Sequence, residues 1–196
     1  MIRVRLYIDY VDPGSWVVDR RLAAVAREGE VLVERLPFEI RPPPDRPLDA
    51  ADPAWLDYWT AMAREAGADG LELRSPDRVP WTRKAHELAL HARERDRFEA
   101  VHDGLYRAFL VEGRDLGRVD VLVAVARDAG LDHSETKAVL DVDRHADAVE
   151  LVRREALELG VRGVPTLVVD DRVLEGIHPA GTLEGFLAGH DEHEEQ

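Results

Sequence analysis

Asp12 and Ser15 stand three residues apart in Tyr10-Val11-Asp12-Pro13-Gly14-Ser15. A helix start would bring this carboxylate and this hydroxyl to the same end of the element. Asp is a preferred helix N-cap, and Pro13 suits the first helical position. Capping predicts a carboxyl pKa below the usual carboxylate range and therefore a poor general base at neutral pH. Such a carboxylate can still repel an anionic thiolate or accept a hydrogen bond from a substrate hydroxyl. As a cap alone, Asp12 would contribute about 1 kcal/mol of stability. Ser15 falls on the first turn, and its hydroxyl becomes a nucleophile only when a base takes its proton. No His lies nearby in sequence, so Ser15 reads as a group that satisfies backbone or donates to a substrate oxygen or a bound thiol. Asp12 and Ser15 are the candidate catalytic residues.

Trp16, Trp55, Tyr58, Trp59 and Trp81 are the aromatic residues available to line an apolar cleft. Trp55 and Trp59 form an i, i+4 pair, which usually packs into a core. Trp81 precedes the cap Thr82 and is the better pocket residue. Arg83 is a candidate anchor for an anion. His86 and His91 do not share a helical face well, and His102, His133, His145 and His178 are scattered, so no metal site is expected. His190 and His193, with Asp191 and Glu192, read as part of a solvated acidic tail.

The chain has no cysteine, which excludes disulfides, thiolate metal sites and a thiol nucleophile. Its 26 Lys and Arg stand against 40 Asp and Glu, for a net charge of −14. That balance argues against nucleic acid or anionic membrane as a partner. The N-terminus has no long apolar stretch of the signal-peptide kind, and no apolar run approaches the roughly 20 residues of a membrane span. A cytoplasmic location is the expectation.

The elements that must position these residues follow from periodicity. Val4, Leu6 and Ile8 alternate with Arg3, Arg5 and Tyr7, a strand pattern over 3–9. A helix follows Asp12 and ends near Glu28-Gly29, and 31–36 reads as a second strand. This βαβ unit implies a right-handed crossover and parallel pairing. The proline-rich segment 41–47 can be neither helix nor central strand and reads as a linker. Helices are predicted at 53–66, 82–96, 98–112, 118–129, 134–141 and 144–159. Residues 166–169 and 172–175 are two short strands at hairpin spacing around Asp170-Asp171, and Pro179 to Leu187 is a closing helix. The expected organisation is a sheet domain from 1–44 plus 160–190, a helical insertion at 45–159, and a disordered acidic tail at 191–196.

That order, with an X-Pro before the hairpin, resembles the thioredoxin fold of the DsbA family. It resembles most the FrnE-like branch, whose relatives include 2-hydroxychromene-2-carboxylate isomerases and kappa-class glutathione transferases. The residues that carry the resemblance run along essentially the whole chain: 9–16, 36–40, 82–86, 105–109, 113–116, Leu159 to Thr166, and Pro179. Gly163-Val164-Pro165-Thr166 in register with the first βα turn is the strongest part. The resemblance implies a thioredoxin-like α/β fold (βαβ…ββα) with a large all-helical insertion, and a cis Val164–Pro165 bond. It implies that the backbone of Val164 faces a cleft where an extended ligand pairs with it. Val164, Pro165, Trp16, Trp81 and Arg83 are then the ligand-binding candidates. Glutathione or another low-molecular-weight thiol is the implied cofactor, a small molecule or peptide the implied ligand, and a monomer or homodimer the implied assembly.

The sequence departs from the family at the first βα turn. Redox members carry Cys-Pro-X-Cys there, and this chain has Asp12-Pro13-Gly14-Ser15. The isomerase and kappa-transferase relatives place a Ser at the first position, and here it is Asp12. Dithiol–disulfide exchange is excluded although the family label is oxidoreductase. Two expectations stand: a small-molecule enzyme of isomerase or transferase type, working between the Asp12 turn and Pro165, and a pseudoenzyme that binds a small molecule or peptide without turnover.

Overall fold

The structure is a computed structural model that describes residues 1–28 and 31–189. The expected acidic tail at 191–196 lies outside the described residues. β1 (Ile2–Ile8), α1 (Pro13–Glu28) and β2 (Val31–Pro37) form the βαβ unit, with β1 and β2 parallel from Ile2↔Val31 to Ile8↔Pro37. β3 (Thr166–Val169) pairs antiparallel with β1 through Leu6↔Leu167, and β4 (Arg172–Glu175) completes the sheet in the order β2-β1-β3-β4. Asp170 takes a φ of 52° at the hairpin turn, a conformation that Asp tolerates better than most residues.

Between β2 and β3 the chain is helical: α2 (Pro53–Ala68), α3 (Arg83–Arg93), α4 (Phe98–Tyr106), α5 (Val119–Asp128), α6 (His133–Asp141) and α7 (Ala146–Glu158). The single helix expected at 98–112 is instead α4 followed by a π-helical turn at Arg107–Val111. α8 (Ala180–Leu187) closes the chain. Asp52 caps α2 by accepting from the N–H groups of Ala54 and Trp55, and Asp132 caps α6 from Glu135 N, so both helices start where a short acidic side chain can satisfy free donors.

β1 is central, and its C-terminal half, Leu6 to Ile8, is buried on both faces. Val4, Leu6 and Ile8 enter the main core with Leu22 of α1, Leu88 of α3, Leu105 of α4 and Leu183 of α8. Tyr7, on the other face, packs with Phe38, Ala156 of α7, Val161 and Val168. The helices between β2 and β3 share the main core with the sheet. The segment at 41–47, expected as a linker, packs as a wall: Trp81 Nε1 donates to the carbonyl of Asp45 at 3.0 Å. No described helix is long and apolar enough to cross a membrane.

Candidate functional site

The β1–α1 turn lifts the chain out of the sheet, and Asp12 is the residue at which α1 begins. Its N–H donates to the carbonyl of Asp9 at 3.1 Å. Its Oδ2 accepts from both the N–H and the Oγ of Ser15 at 2.6 Å. This is N-cap geometry at the positive end of α1. Its Oδ1 accepts from the hydroxyl of Tyr58 at 2.5 Å. The candidate catalytic residues Asp12 and Ser15 are thus in contact, and both are buried.

The expected lowering of the Asp12 pKa is overturned. Burial pushes it up to about 6, against the hydrogen bonds from Ser15 and Tyr58 that favour the ionised form. Removing a charge from water outweighs the cap. At this value the carboxyl exchanges its proton near neutral pH, which a capped, exposed carboxylate would not do.

Tyr58 comes from α2. Its spacing marks it only as a cleft aromatic; the bond to Asp12 arises from the packing of α2 on α1. Burial, and then the charge of Asp12, raise its pKa above the ordinary tyrosine value, so it acts as a neutral donor. Gly14 permits the approach, because a Cβ there would lie 2.6 Å from Tyr58 Oη and 2.9 Å from Ile177 Cδ1. Tyr58 also lines a cavity of about 610 Å³ with Trp55, Leu48, Arg41, Arg46 and Asp49. Asp12 itself does not line this cavity; its bonded neighbour Tyr58 does.

Trp81 and Arg83 line a second cavity of about 480 Å³, which shares Pro47 and Leu48 with the first. Trp81 is 45% exposed and is a wall residue, as its position before Thr82 suggests. Arg83 does not offer a free guanidinium: its Nε donates to Oε2 of Glu39 at 2.5 Å. Glu39 is fully buried, and burial raises its pKa while the bond from Arg83 opposes the rise. His86 also turns inward, with Nε2 3.3 Å from Oδ1 of Asp9, and the other oxygen of Asp9 accepts from Ile40 N at 2.8 Å.

Trp16 is buried in the core rather than on a cavity wall, stacked on Tyr106 with ring centroids 5.9 Å apart. Trp55 and Trp59 are buried with centroids at 5.8 Å. The Val164–Pro165 bond is cis. Pro165 is buried, and its carbonyl accepts from Gly176 N at 2.8 Å. Val164 is half-buried, and its own N–H and C=O join none of the turn or loop hydrogen bonds among the described residues. Asp12, Ser15 and Tyr58 form one bonded group, while Trp81 and Arg83 belong to the neighbouring cavity.

A second polar chain runs through the interior. Tyr10 Oη lies 3.0 Å from His102 Nδ1, and His102 Nε2 lies 3.1 Å from Asp19 Oδ2. Arg35 Nε donates to Asp19 Oδ1 at 2.6 Å. Burial would raise the Asp19 pKa, but His102 and Arg35 hold it below the ordinary value. Nothing in sequence spacing marks this chain, because its four members come from four different elements.

Known proteins place this arrangement. The chain is 30% identical over 184 residues to the uncharacterized protein YwbO of Bacillus subtilis (strain 168), covering 89% of this chain and 90% of that one. It is 25% identical over 193 residues to the 2-hydroxychromene-2-carboxylate isomerase of Sphingobium xenophagum, covering 94% and 97%. The crystal structure of a probable DsbA oxidoreductase from Streptomyces coelicolor superposes with a TM-score of 0.82 at 29% identity, over 100% of this chain and 94% of that one. The model of the DSBA-like thioredoxin domain matches residues 3–188, and the chain, although it carries no cysteine, belongs to that family.

Proposed function

We propose that the protein is a small-molecule enzyme of isomerase type, working by proton transfer in the cavity beside Tyr58. The observation that carries this reading is the buried Asp12 carboxyl bonded by Tyr58, a residue of the cavity wall, with burial pushing the carboxyl pKa up to about 6. A substrate proton passes to Tyr58 Oη as Tyr58 passes its own to Asp12 Oδ1. The reverse step returns a proton to a different atom of the substrate. No net proton or electron is lost, and Tyr58 need not ionise, which its raised pKa would oppose. The cavity wall carries Arg41 and Arg46 together with Asp45, Asp49 and Asp52, so a substrate carboxylate would seat on the guanidiniums and a hydroxyl could donate to an aspartate. Glutathione or another low-molecular-weight thiol enters as a diffusible partner that pairs with the backbone of Val164, and the reaction takes place in the cytoplasm.

Binding without turnover is the second reading. It is favoured by the same site: Asp12 is 1% exposed, and both of its oxygens are already bonded. The two separate in an assay of the purified protein on 2-hydroxychromene-2-carboxylate, with and without glutathione. The enzyme reading expects turnover that rises with pH through about 6, as Asp12 becomes able to accept a proton. Tyr58→Phe and Asp12→Asn should each lower it by about 100-fold or more. Absent turnover, together with a higher melting temperature in the presence of either compound, would decide for binding.

A further inference from the structure

His91, Glu94 and His145 converge where the end of α3 meets the start of α7. One ligand atom from each lies within 4.8 Å of the others. His91 is in the last turn of α3, Glu94 is its C-cap, and His145 is the N-cap of α7. The imidazole rings of His91 and His145 are 6.2 Å apart at their centroids and tilted by 34°. His145 Nε2 is 3.9 Å from Glu94 Oε2. Two ligands at 2.0–2.1 Å on one tetrahedral ion are about 3.4 Å apart, so the set closes around an ion by small side-chain adjustments. Glu94 is 43% exposed, which gives an ion a way in.

The second observation is the state of the two rings. His91 is 1% exposed and His145 8% exposed. Both nitrogens of His91 and Nε2 of His145 have no hydrogen-bond partner among the described residues. Buried polar atoms are nearly always paired, and an imidazole with both nitrogens unpaired in a core is an open ligand. Glu94 is ion-paired with Arg95 and Arg144 at 4.0 Å, at the solvent side of the cluster.

We infer that His91, Glu94 and His145 form a binding site for one divalent transition-metal ion of the zinc class, with water in the fourth position. Two imidazoles and a carboxylate match that class, whereas magnesium and calcium take oxygen ligands. The ion would clamp α3 to α7 and lies apart from the Asp12 site. The pairing escapes the sequence because His145 is far from His91 along the chain, while His86, the nearer histidine, binds Asp9.

The test uses untagged full-length protein stripped with EDTA and titrated with Co²⁺, then Zn²⁺. One Co²⁺ per chain, with the visible bands of tetrahedral coordination and displacement by Zn²⁺, is the expected result, together with a melting temperature raised by Zn²⁺. His91→Gln and His145→Gln should abolish the bands. Glu94→Gln, a partly exposed position that leaves the core untouched, should weaken binding about tenfold or more. The double variant His190→Asn/His193→Asn should bind as the wild type does. Absence of stoichiometric Co²⁺ would overturn the proposal, leaving water as the partner of these rings. Binding that survives Glu94→Gln unchanged, or that disappears with His190 and His193, would overturn it equally.

Discussion

A carboxylate with both oxygens held by Ser15 and Tyr58 and almost no solvent around it is harder to ionise in the folded chain than in the unfolded one. Its folded pKa of about 6 lies above the ordinary 3.8, so between these values the folded state holds more protons. The contribution of Asp12 to stability is therefore greatest below about pH 4 and is lost as pH rises through about 6. Urea unfolding of wild type and Asp12→Asn at pH 7.5 and about pH 4.5 measures this directly. Wild type should gain about 2 kcal/mol relative to the variant on acidification. A constant difference, or one of opposite sign, would mean that Asp12 is an ordinary cap. The cap itself was legible in Asp12-Pro13, but the pKa was not. Its direction depends on burial, and the covering hydroxyl comes from Tyr58, 46 residues further along the chain.

At the scale of elements, the site depends on how closely α2 approaches the N-terminus of α1. Gly14 sets that distance. Gly14→Ala would put a methyl group 2.6 Å from Tyr58 Oη and 2.9 Å from Ile177 Cδ1, which forces the tyrosine off Asp12. The expected loss is about 1–3 kcal/mol of stability, with activity falling as far as in Tyr58→Phe. Unchanged activity in a folded Gly14→Ala protein would show that the Tyr58–Asp12 bond is dispensable. Most elements could be read in advance because their signals are local: the alternation of Val4, Leu6 and Ile8, the cap at Asp52, and the hairpin spacing around Asp170. The π-helical turn at Arg107–Val111 has no such signal. Its apolar residues Ala108, Phe109 and Leu110 satisfy a helical pattern whether or not an extra residue enters the turn. The irregular backbone at 41–47 follows from its prolines, but its role as a wall depends on Trp81, a contact between residues distant in sequence.

For the molecule as a whole, the family scaffold persists without the family's sulfur chemistry. With no cysteine in the chain, the purified protein should reduce insulin disulfides no faster than buffer containing the same thiol, and turbidity followed over time checks this. Acceleration above that background would require a different mechanism. The fold was legible because element order and the Gly163-Val164-Pro165-Thr166 segment belong to one topology. The two cavities were not, since their walls join 41–49, α2 and the start of α3. The buried chain from Tyr10 through His102 and Asp19 to Arg35 determines how this molecule can come apart. It joins the β1–α1 turn, α4, α1 and β2, so lifting α4 away would take His102 from both Tyr10 and Asp19, while the Asp19–Arg35 pair stayed together. The β1–α1 turn and α4 should therefore gain and lose their amide-exchange protection together.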